Sequence, residues 1–477
     1  MHRNIVPKLK KIFKQKFSED VLYIEELPVS GSSRIYFRLK SKNLSAIATY
    51  NTDLKENKAF LHISDIFKKH GINVPEIYAE DNIIYLQEDL GDETLFQRIR
   101  KIRNTDNFPE ELVDLYKKTI EQLAELQINA GKEIDYSLCY PRAAFDRQSI
   151  FWDLNYFKYN FLKFTDVTFN EQLLETDFNT FSDYLLKPDT DFFLYRDFQS
   201  RNIMLHNNKI YFIDYQGGRK GALQYDLASL LYDAKADIPE KIRTELTEYY
   251  INYVSQIIPI DKNEFYDYYY AYALIRIMQA MGAYGFRGLY ERKQHFIDSI
   301  PFGLKNLKEV LPKVKILNKM SELKRILSEL PNSEKLKTIM KENKLTVTIK
   351  SFSYKRGIPY DQTGNGGGHI FDCRIINNPG RIEKYKKLWG KDKEVIEFLE
   401  NENDTHLFFN TIKEILNISV TNYQSRGFQN LSVNFGCTGG QHRSVFFAEK
   451  TAEFLKNNFD LNVELLHTEI SYPELAI

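Results

Sequence analysis

The stretch Leu194–Leu205, LYRDFQSRNIML, decides how the rest of this sequence is read. An apolar FFLY run leads into it and an apolar IML leaves it, so a polar loop is held between two short strands. Inside the loop Asp197 and Asn202 stand five positions apart, and the next apolar run, KIYFID, ends on Asp214. An isolated Asp-x4-Asn pair is ordinarily a turn or a helix cap. Here the strands on both sides and the third polar group at Asp214 turn a common accident into a constellation.

Phosphoryl transfer from ATP asks three things of a protein: a carboxylate to accept the hydroxyl proton, ligands for Mg2+, and a cover for the phosphates. Arg196-Asp197 followed by Asn202 has the spacing of a kinase catalytic loop, with Asp197 as the base and Asn202 as a metal ligand. Asp214 stands where the second Mg2+ ligand belongs. Further along, QYDLASLLYD places Asp226 ahead of an apolar helical run. As an N-cap it would contribute about 1 kcal/mol; as a buried carboxylate it would orient the catalytic loop, and that supporting role is the favoured one.

The bulk composition agrees with a folded chain of several domains. At 477 residues, 43% hydrophobic and 27% charged, with 34 Phe and 31 Tyr, the sequence has ample material for packed interiors. Lys plus Arg and Asp plus Glu number 65 each, so a protein that holds nucleic acid by bulk charge is disfavoured. The three cysteines, Cys139, Cys373 and Cys437, are widely spaced and odd in number, as in reduced thiols of a cytoplasmic protein. The basic start PKLKKIFKQKF lacks the apolar core of a leader and reads as a first helix with Leu9, Ile12 and Phe13 on one face. No apolar run approaches the ~18 residues of a membrane span.

Residues 1–90 read as short strands (Ile35–Leu39, Ala46–Tyr50, Ile83–Gln87) with one helix, Glu56–His70, and residues 91–320 read as mainly helical. The helix Glu110–Ala130 is expected to stop at Gly131, where glycine takes the left-handed conformation. The Tyr-rich run DYYYAYALIRIMQ offers aromatic faces for a sugar ring, but its helical spacing is that of core. Residues 321–344, rich in Lys and Glu, read as helix and linker. From Leu345 to Ile477 a new domain is expected, with strands at LTVTIKSF and HIFDCRII, a glycine-rich turn GNGGGH, and a closing strand, glycine loop and helix around Leu431–Leu455.

YRDFQSRN, FIDYQGG and YDLASLLYD resemble the aminoglycoside phosphotransferase family, and within it the anomeric kinases of N-acetylmuramate and N-acetylglucosamine. The resemblance spans roughly residues 15–310 and includes GSSRIYFRL, EDLGDETL and MGAYGFRGL. It implies a bilobal, α+β, protein-kinase-like fold, with ATP and Mg2+ as cofactors, Asp197 as base, and Asn202 and Asp214 on the metal. Nucleotide contacts fall on the phosphate-covering turn Gly31, Ser32 and Ser33 and on the hinge at Glu88, Asp89 and Leu90. Two departures stand out. The turn PVSGSSR has a single glycine, and ATYN stands where a strand lysine would meet the phosphates. Arg34 or Arg38 is left to supply that charge.

Strand LSVNF, loop GCTGGQHRS and helix VFFAEKTAEFL form a strand, glycine loop and helix unit suited to a phosphate, with backbone N–H groups, His442 and Arg443 at the helix start. Cys437-x5-Arg443-Ser444 also has the spacing of a tyrosine-phosphatase loop, in which a thiolate attacks phosphorus. SFSYKRGIPYD, HIFDCRIINNPGR and GCTGGQHRSV resemble the C-terminal domain of RapZ-type RNase adapter proteins over about residues 345–470. That resemblance implies an α/β domain that senses glucosamine 6-phosphate and binds small RNA. Its phosphate site would comprise Thr438, Gly439, Gly440, Gln441, His442, Arg443 and Ser444, with Arg356. The family's Walker-type half, G-x4-G-K-[ST], is missing here.

The expectation is therefore a cytoplasmic, ATP- and Mg2+-dependent kinase of an amino sugar, fused to a domain that binds a phosphorylated sugar. Two alternatives stay open: an RNA-binding adapter with a vestigial kinase half, and a kinase-phosphatase fusion.

Overall fold

Residues 5–28, 34–103, 108–342, 344–359, 368–425 and 428–469 are described by the structure, a computed structural model. The turn at Gly31, Ser32 and Ser33 and most of GNGGGH lie outside the described residues. The chain divides into two compact units, residues 1–286 with 299–333, and residues 287–298 with 334–477.

In the first unit, short runs rich in β-branched and aromatic residues form five strands: β1 (Tyr23–Glu26), β2 (Ile35–Lys40), β3 (Ser45–Tyr50), β4 (Ile77–Asp81) and β5 (Ile84–Glu88). They pair antiparallel in the order β1-β2-β3-β5-β4. One face buries Phe37, Leu39, Ala46, Ala48, Ile84 and Leu86 against Leu9, Ile12 and Phe13 of α1 (Val6–Phe17), the stripe visible in the sequence. Between β3 and β4 runs α2 (Leu54–Lys69), capped by Asp53, which accepts the N–H groups of Lys55 and Glu56.

Helices follow: α3 (Leu95–Ile102), α4 (Glu110–Ile128), α5 (Arg147–Asn160) and α6 (Glu171–Leu185), then α7 (Leu223–Leu231), α8 (Glu240–Val254) and α9 (Lys262–Ala283). Tyr269 and Tyr272 of α9 are sealed in the core, so this tyrosine run is packing. The expected left-handed stop at Gly131 is not what ends α4. The chain passes from α4 into a 3-10 turn, Ala130–Glu133, and glycine is favoured there because a Cβ would lie a tight 3.0 Å from Phe193 Cβ.

Two antiparallel ribbons lie among these helices. In one, β6 (Phe192–Leu194) pairs with β9 (Arg219–Gly221); in the other, β7 (Ile203–His206) pairs with β8 (Lys209–Phe212). Because the outer pair and the inner pair are both closed, the loops 195–202 and 213–218 are forced to run side by side. That topology brings Asp197, Asn202 and Asp214 together.

The short α10 (Gln294–Ile297) groups with the second unit, while α11 (Ile300–Val310) and α12 (Ser321–Glu329) belong to the first. Residues 321–333 are thus not linker. Glu322 accepts the Asn170 N–H at 2.7 Å, and Asp177 of α6 accepts the Leu323 N–H at 2.8 Å, which fastens α12 to the helical core.

The second unit continues with α13 (Glu334–Glu342) and a four-stranded, all-parallel sheet. Its strands are β10 (Thr346–Ser353), β11 (Gly368–Asp372), β12 (Asn430–Cys437) and β13 (Asn462–His467), in the order β11-β12-β10-β13. The connections hold α14 (Lys393–Glu400), α15 (Asn403–Ser425) and α16 (Arg443–Asn458). Val347, Ile349, Val433 and Phe435 pack with Phe447 and Leu455 of α16 in its core. Ser353 and Cys437 are level in register, so the loops after β10 and β12 leave the same edge of the sheet, where parallel sheets gather ligand loops.

Candidate functional site

The catalytic loop is suspended from a buried carboxylate. Asp226, fully buried, accepts the N–H of Tyr195 at 2.7 Å, the N–H of Arg196 at 3.0 Å and Gln127 Nε2 at 3.3 Å. It is not the N-cap of α7, which is Ala222, so of the two readings the orienting one holds. Burial pushes its carboxyl up to about 7, against the opposing pull of those N–H groups. The other end of the loop is held by Asp233, which accepts Ser200 N at 3.2 Å and Ser200 Oγ at 2.5 Å.

Arg196 (φ 86°) and Asp214 (φ 71°) are non-glycine residues in the left-handed region. Such strain costs about 1–3 kcal/mol per residue and persists only where surrounding contacts impose it. For Arg196 those contacts are a two-pronged pair with Asp153 of α5, at 2.7 and 2.5 Å, and a bond to the Tyr225 hydroxyl. For the second loop they include the Tyr195 hydroxyl, which donates to the Ile213 carbonyl, and the Ile213 N–H, which donates to Asn202 O at 3.1 Å.

Asn202 donates from Nδ2 to the Asp197 carbonyl at 2.8 Å, which fixes the amide so that Oδ1 has no protein partner among the described residues. Asn202 and Asp214 line one cavity of about 330 Å³ together with Arg34, Tyr36, Ile47, Tyr85, Glu88, Asp89, Leu90 and Met204. No group of three or more His, Cys, Asp or Glu suited to a metal occurs among the described residues. An amide oxygen and a carboxylate sharing a cavity fit a Mg2+ that takes one or two protein ligands and completes its shell with phosphate oxygens and water.

Arg34 is the group that sequence reasoning left undecided. At the start of β2 and 4% exposed, it reaches Asp214 Oδ1 with Nη2 at 2.6 Å and faces Glu56 Oε1 of α2 from Nε at 3.7 Å. Arg38 goes elsewhere: it binds Asp89 at 2.9 Å and Asp92 at 2.7 Å and so braces the hinge. Gln216 Nε2 also donates to Asp214 Oδ1, at 3.0 Å. At the hinge, His206 Nδ1 donates to the Leu90 carbonyl at 3.0 Å.

Asp197 has a side chain 43% exposed, with Arg276 Nη2 of α9 at 3.4 Å from Oδ1. Burial works to raise its carboxyl, but the charges of Arg276, Arg196, Arg201 and Arg219 outweigh burial and hold it below its ordinary value. It is therefore ionised across the neutral range, as a base must be.

In the second unit the loop after β12 is built differently from the expectation. Gln441 donates to the Lys386 and Leu388 carbonyls at 3.0 and 2.8 Å, and His442 Nε2 donates to the Tyr385 carbonyl at 2.8 Å. Arg443 donates to the Arg374 and Ile376 carbonyls at 3.2 and 2.6 Å. The segment 373–388 is a chain of short 3-10 turns with few ladder partners, and these side chains satisfy its carbonyls. Through these bonds the three side chains anchor that segment, and Arg443 Nε is left buried without a partner among the described residues. Arg356 pairs with Glu469 at 3.1 Å, and Ser353 Oγ donates to the Thr438 carbonyl at 2.8 Å, so what lies open at the loop is Thr438 and Gly439. Cys437 is 3% exposed with Sγ 3.2 Å from Ser444 Oγ, an arrangement that withholds the thiol from an exposed phosphate ester.

Residues 24–258 match the phosphotransferase enzyme family. The N-terminal unit carries a phosphotransferase-family domain, and residues 345–471 match the RapZ C-terminal domain. Among curated proteins, a nucleotide-binding protein of Thermosipho melanesiensis is 36% identical over 33% of this chain and 58% of its own length. Another, of Fusobacterium nucleatum, is 38% identical over 27% of this chain and 42% of its own length. The chain thus spans about half the length of the curated relatives it matches. Among solved structures, a choline kinase from Cryptosporidium parvum aligns over 69% of this chain and all of its own, at 13% identity and a TM-score of 0.45.

In the phosphotransferase domain the supporting residues Glu56, Asp153, Gln216, Arg219, Asp233 and Arg276 escaped sequence reasoning. Gln216 and Arg219 carried a signal, since YQGGR follows Asp214 directly. Asp153 and Arg276 carried none: each sits in a helix whose spacing reads as ordinary packing.

Proposed function

We propose that the N-terminal unit transfers the γ-phosphoryl group of ATP to a hydroxyl of a sugar, an amino sugar such as N-acetylmuramate or N-acetylglucosamine. The observation that carries the reading is that Arg34, Asn202 and Asp214 line one cleft while Asn202 is bonded to the backbone carbonyl of Asp197. Asp197 takes the proton of the acceptor hydroxyl while that oxygen bonds to the γ-phosphorus and the bond from phosphorus to the bridging oxygen of ADP breaks. Asn202 and Asp214 would hold Mg2+, which when bound neutralises phosphate charge. Arg34, facing both Asp214 and Glu56, supplies the cation that the strand lysine gives in related folds. On this reading the missing lysine gives no reason to regard the kinase half as vestigial.

The second unit is assigned the binding of a phosphorylated sugar. Its support is the loop at Thr438–Gly440, with Arg356 close by, at the strand edge where ligands gather. No helix among the described residues is long and apolar enough to cross a membrane, and the reading places the protein in the cytoplasm with its ATP. Incubation of the full chain with Mg-ATP and a panel of amino sugars tests the kinase reading. Transfer is expected to one of them and to fall by about 10²–10⁴ in Asp197→Asn; transfer that survives this change rejects Asp197 as the base.

A further inference from the structure

Arg219 is 5% exposed, yet among the described residues its one hydrogen bond runs from Nε to the Gly217 carbonyl at 3.0 Å. Among the described residues no carboxylate lies within 4.0 Å of its guanidinium, so both Nη groups lack a protein partner. A guanidinium taken out of water without a counter-ion is strongly unfavourable, and a fold tolerates one where a ligand completes it. Burial and the charge of Arg196 pull its pKa down to about 10, the mark of a cation in want of an anion.

Its place is fixed by the β6–β9 ribbon. Arg219 is directly opposite Leu194, three residues before Asp197, and a Cβ on Gly217 would lie 4.0 Å from Arg196 Cβ. The segment thus passes beside the catalytic loop. Asp153 is a candidate counter-charge, but both of its oxygens are bonded to Arg196 and it makes no ion pair with Arg219. Arg201, on the exposed side of the loop, also has no carboxylate within reach among the described residues. Around Asp197, then, stand Arg196, Arg201, Arg219 and Arg276; Arg196 is paired with Asp153 and Arg276 with Asp197, while Arg201 and Arg219 have no carboxylate within 4.0 Å among the described residues. None of these arginines lines the nucleotide cavity, where Arg34, Asn202 and Asp214 are found. The two arginines without a carboxylate partner thus stand near Asp197 and outside that cavity.

We infer that the acceptor carries an oxyanion, a carboxylate or a phosphate, and that Arg219, with Arg201 beside it, binds that group while Asp197 faces the hydroxyl. The inference rests on the phosphotransferase reading and narrows its substrate class. A planar guanidinium fork matches either oxyanion and offers nothing comparable to a neutral sugar or a polyamine.

The test compares N-acetylmuramate (carboxylate), glucosamine 6-phosphate (phosphate) and N-acetylglucosamine (neutral) on the full chain and its variants Arg219→Gln, Arg219→Lys and Arg201→Gln. Calorimetry without nucleotide reads affinity, and steady-state transfer from Mg-ATP reads KM and kcat. One anionic probe, which thereby names the oxyanion, is expected to bind at least about tenfold tighter than the neutral sugar, as charge-assisted hydrogen bonds do. That advantage is expected to fall below about threefold in Arg219→Gln, to return in part in Arg219→Lys, and to appear in KM of the anionic acceptor. Equal affinity for all three probes overturns the inference, as does an advantage that Arg219→Gln leaves intact. A loss confined to kcat also overturns it, since Arg219 would then serve the transferring phosphoryl group. If Arg219→Gln does not fold, Arg201→Gln, at an exposed position, decides: no reduction of the advantage rejects the pair. Transfer to charged and neutral sugars alike removes this inference and leaves the phosphotransferase reading standing. Charge-selective binding with no transfer to any probe removes the phosphotransferase reading instead.

Discussion

Replacing Arg34 by methionine keeps most of the length of the side chain and deletes its charge. The guanidinium is 4% exposed, 2.6 Å from Asp214 Oδ1 and 3.7 Å from Glu56 Oε1. Removing one partner of a fully buried ion pair costs about 3–5 kcal/mol, because the other charge is left in a medium that cannot solvate it. Here the stranded carboxylates are better placed. The Asp214 side chain is 36% exposed and keeps Gln216 Nε2 at 3.0 Å, while Glu56 keeps Asn51 Nδ2 at 2.7 Å. The stability cost should therefore be about 1–2 kcal/mol, a fall in Tm of a few degrees. The catalytic cost should be larger, since a fixed cation beside developing phosphate charge is worth about 10²–10³ in kcat. Steady-state transfer from Mg-ATP, run beside a thermal melt, separates the two. Arg34→Lys should recover part of the rate, because it restores a charge without the fork. Arg38→Met, which breaks the hinge pairs with Asp89 and Asp92, should act mainly on KM for ATP. A folded Arg34→Met protein whose kcat/KM stays within about threefold of the parent refutes the assignment, and the phosphates must then be held by another group.

Three further outcomes follow from the geometry. Asp197 is held below its ordinary value despite burial, chiefly by Arg276, so it acts as a base above that lowered pKa and rate is lost only as pH falls through it; Arg276→Gln should move the acid limb of kcat/KM upward, and an unmoved limb rejects the coupling. Asp226 is raised by burial to about 7, so the folded chain binds its proton more tightly than the unfolded one, and its contribution to stability is full below about pH 4 and lost as pH rises through about 7. Asp226→Asn should flatten that slope in denaturant titrations at several pH values. It should also cost about 1–3 kcal/mol, because an amide NH2 must face a backbone N–H at one of the two positions now accepting from Tyr195 and Arg196. Gly440→Ala meets a φ of 68° and a contact of 2.3 Å with Glu469 Cγ, so the stabilisation of the chain by glucosamine 6-phosphate, read as a thermal shift, should shrink; an undiminished shift places that ligand elsewhere.

What the sequence made legible follows the range of the forces involved. The α1 stripe, three of the five strands of the first sheet and the strand, loop and helix after Asn430 rest on local pattern and were readable within a residue or two, whereas β1 and β4, short and little buried, were not read. Asp197, Asn202 and Asp214 were readable because their spacing is local too. Gly131 was misread because its reason is a contact with Phe193, sixty-two positions away, which leaves no local trace. Arg34 could be named only as one of two candidates, since choosing it needs Asp214, 180 positions on, and Arg38 differs from it only in which carboxylates the pleat sets beside it.

The C-terminal loop turns the same argument toward function. Gln441, His442 and Arg443 are the residue types of an anion site, and spacing alone cannot show whether their donors are free. In the fold Gln441 Nε2, His442 Nε2 and Arg443 Nη1 donate to carbonyls of residues 374–388, a stretch whose short turns leave backbone acceptors without ladder partners. An anion at this edge must then be met by backbone N–H groups at Thr438–Gly440 and by Arg356, which would have to leave Glu469 to reach it. Binding there would exchange the Glu469 carboxylate for a phosphate as the partner of Arg356, so the affinity for a phosphate should rise when Glu469 is replaced by glutamine. Competition by Glu469 predicts a tighter site in Glu469→Gln; an affinity unchanged or weakened in that variant means that Arg356 and Glu469 form a structural pair and that the backbone amides act alone.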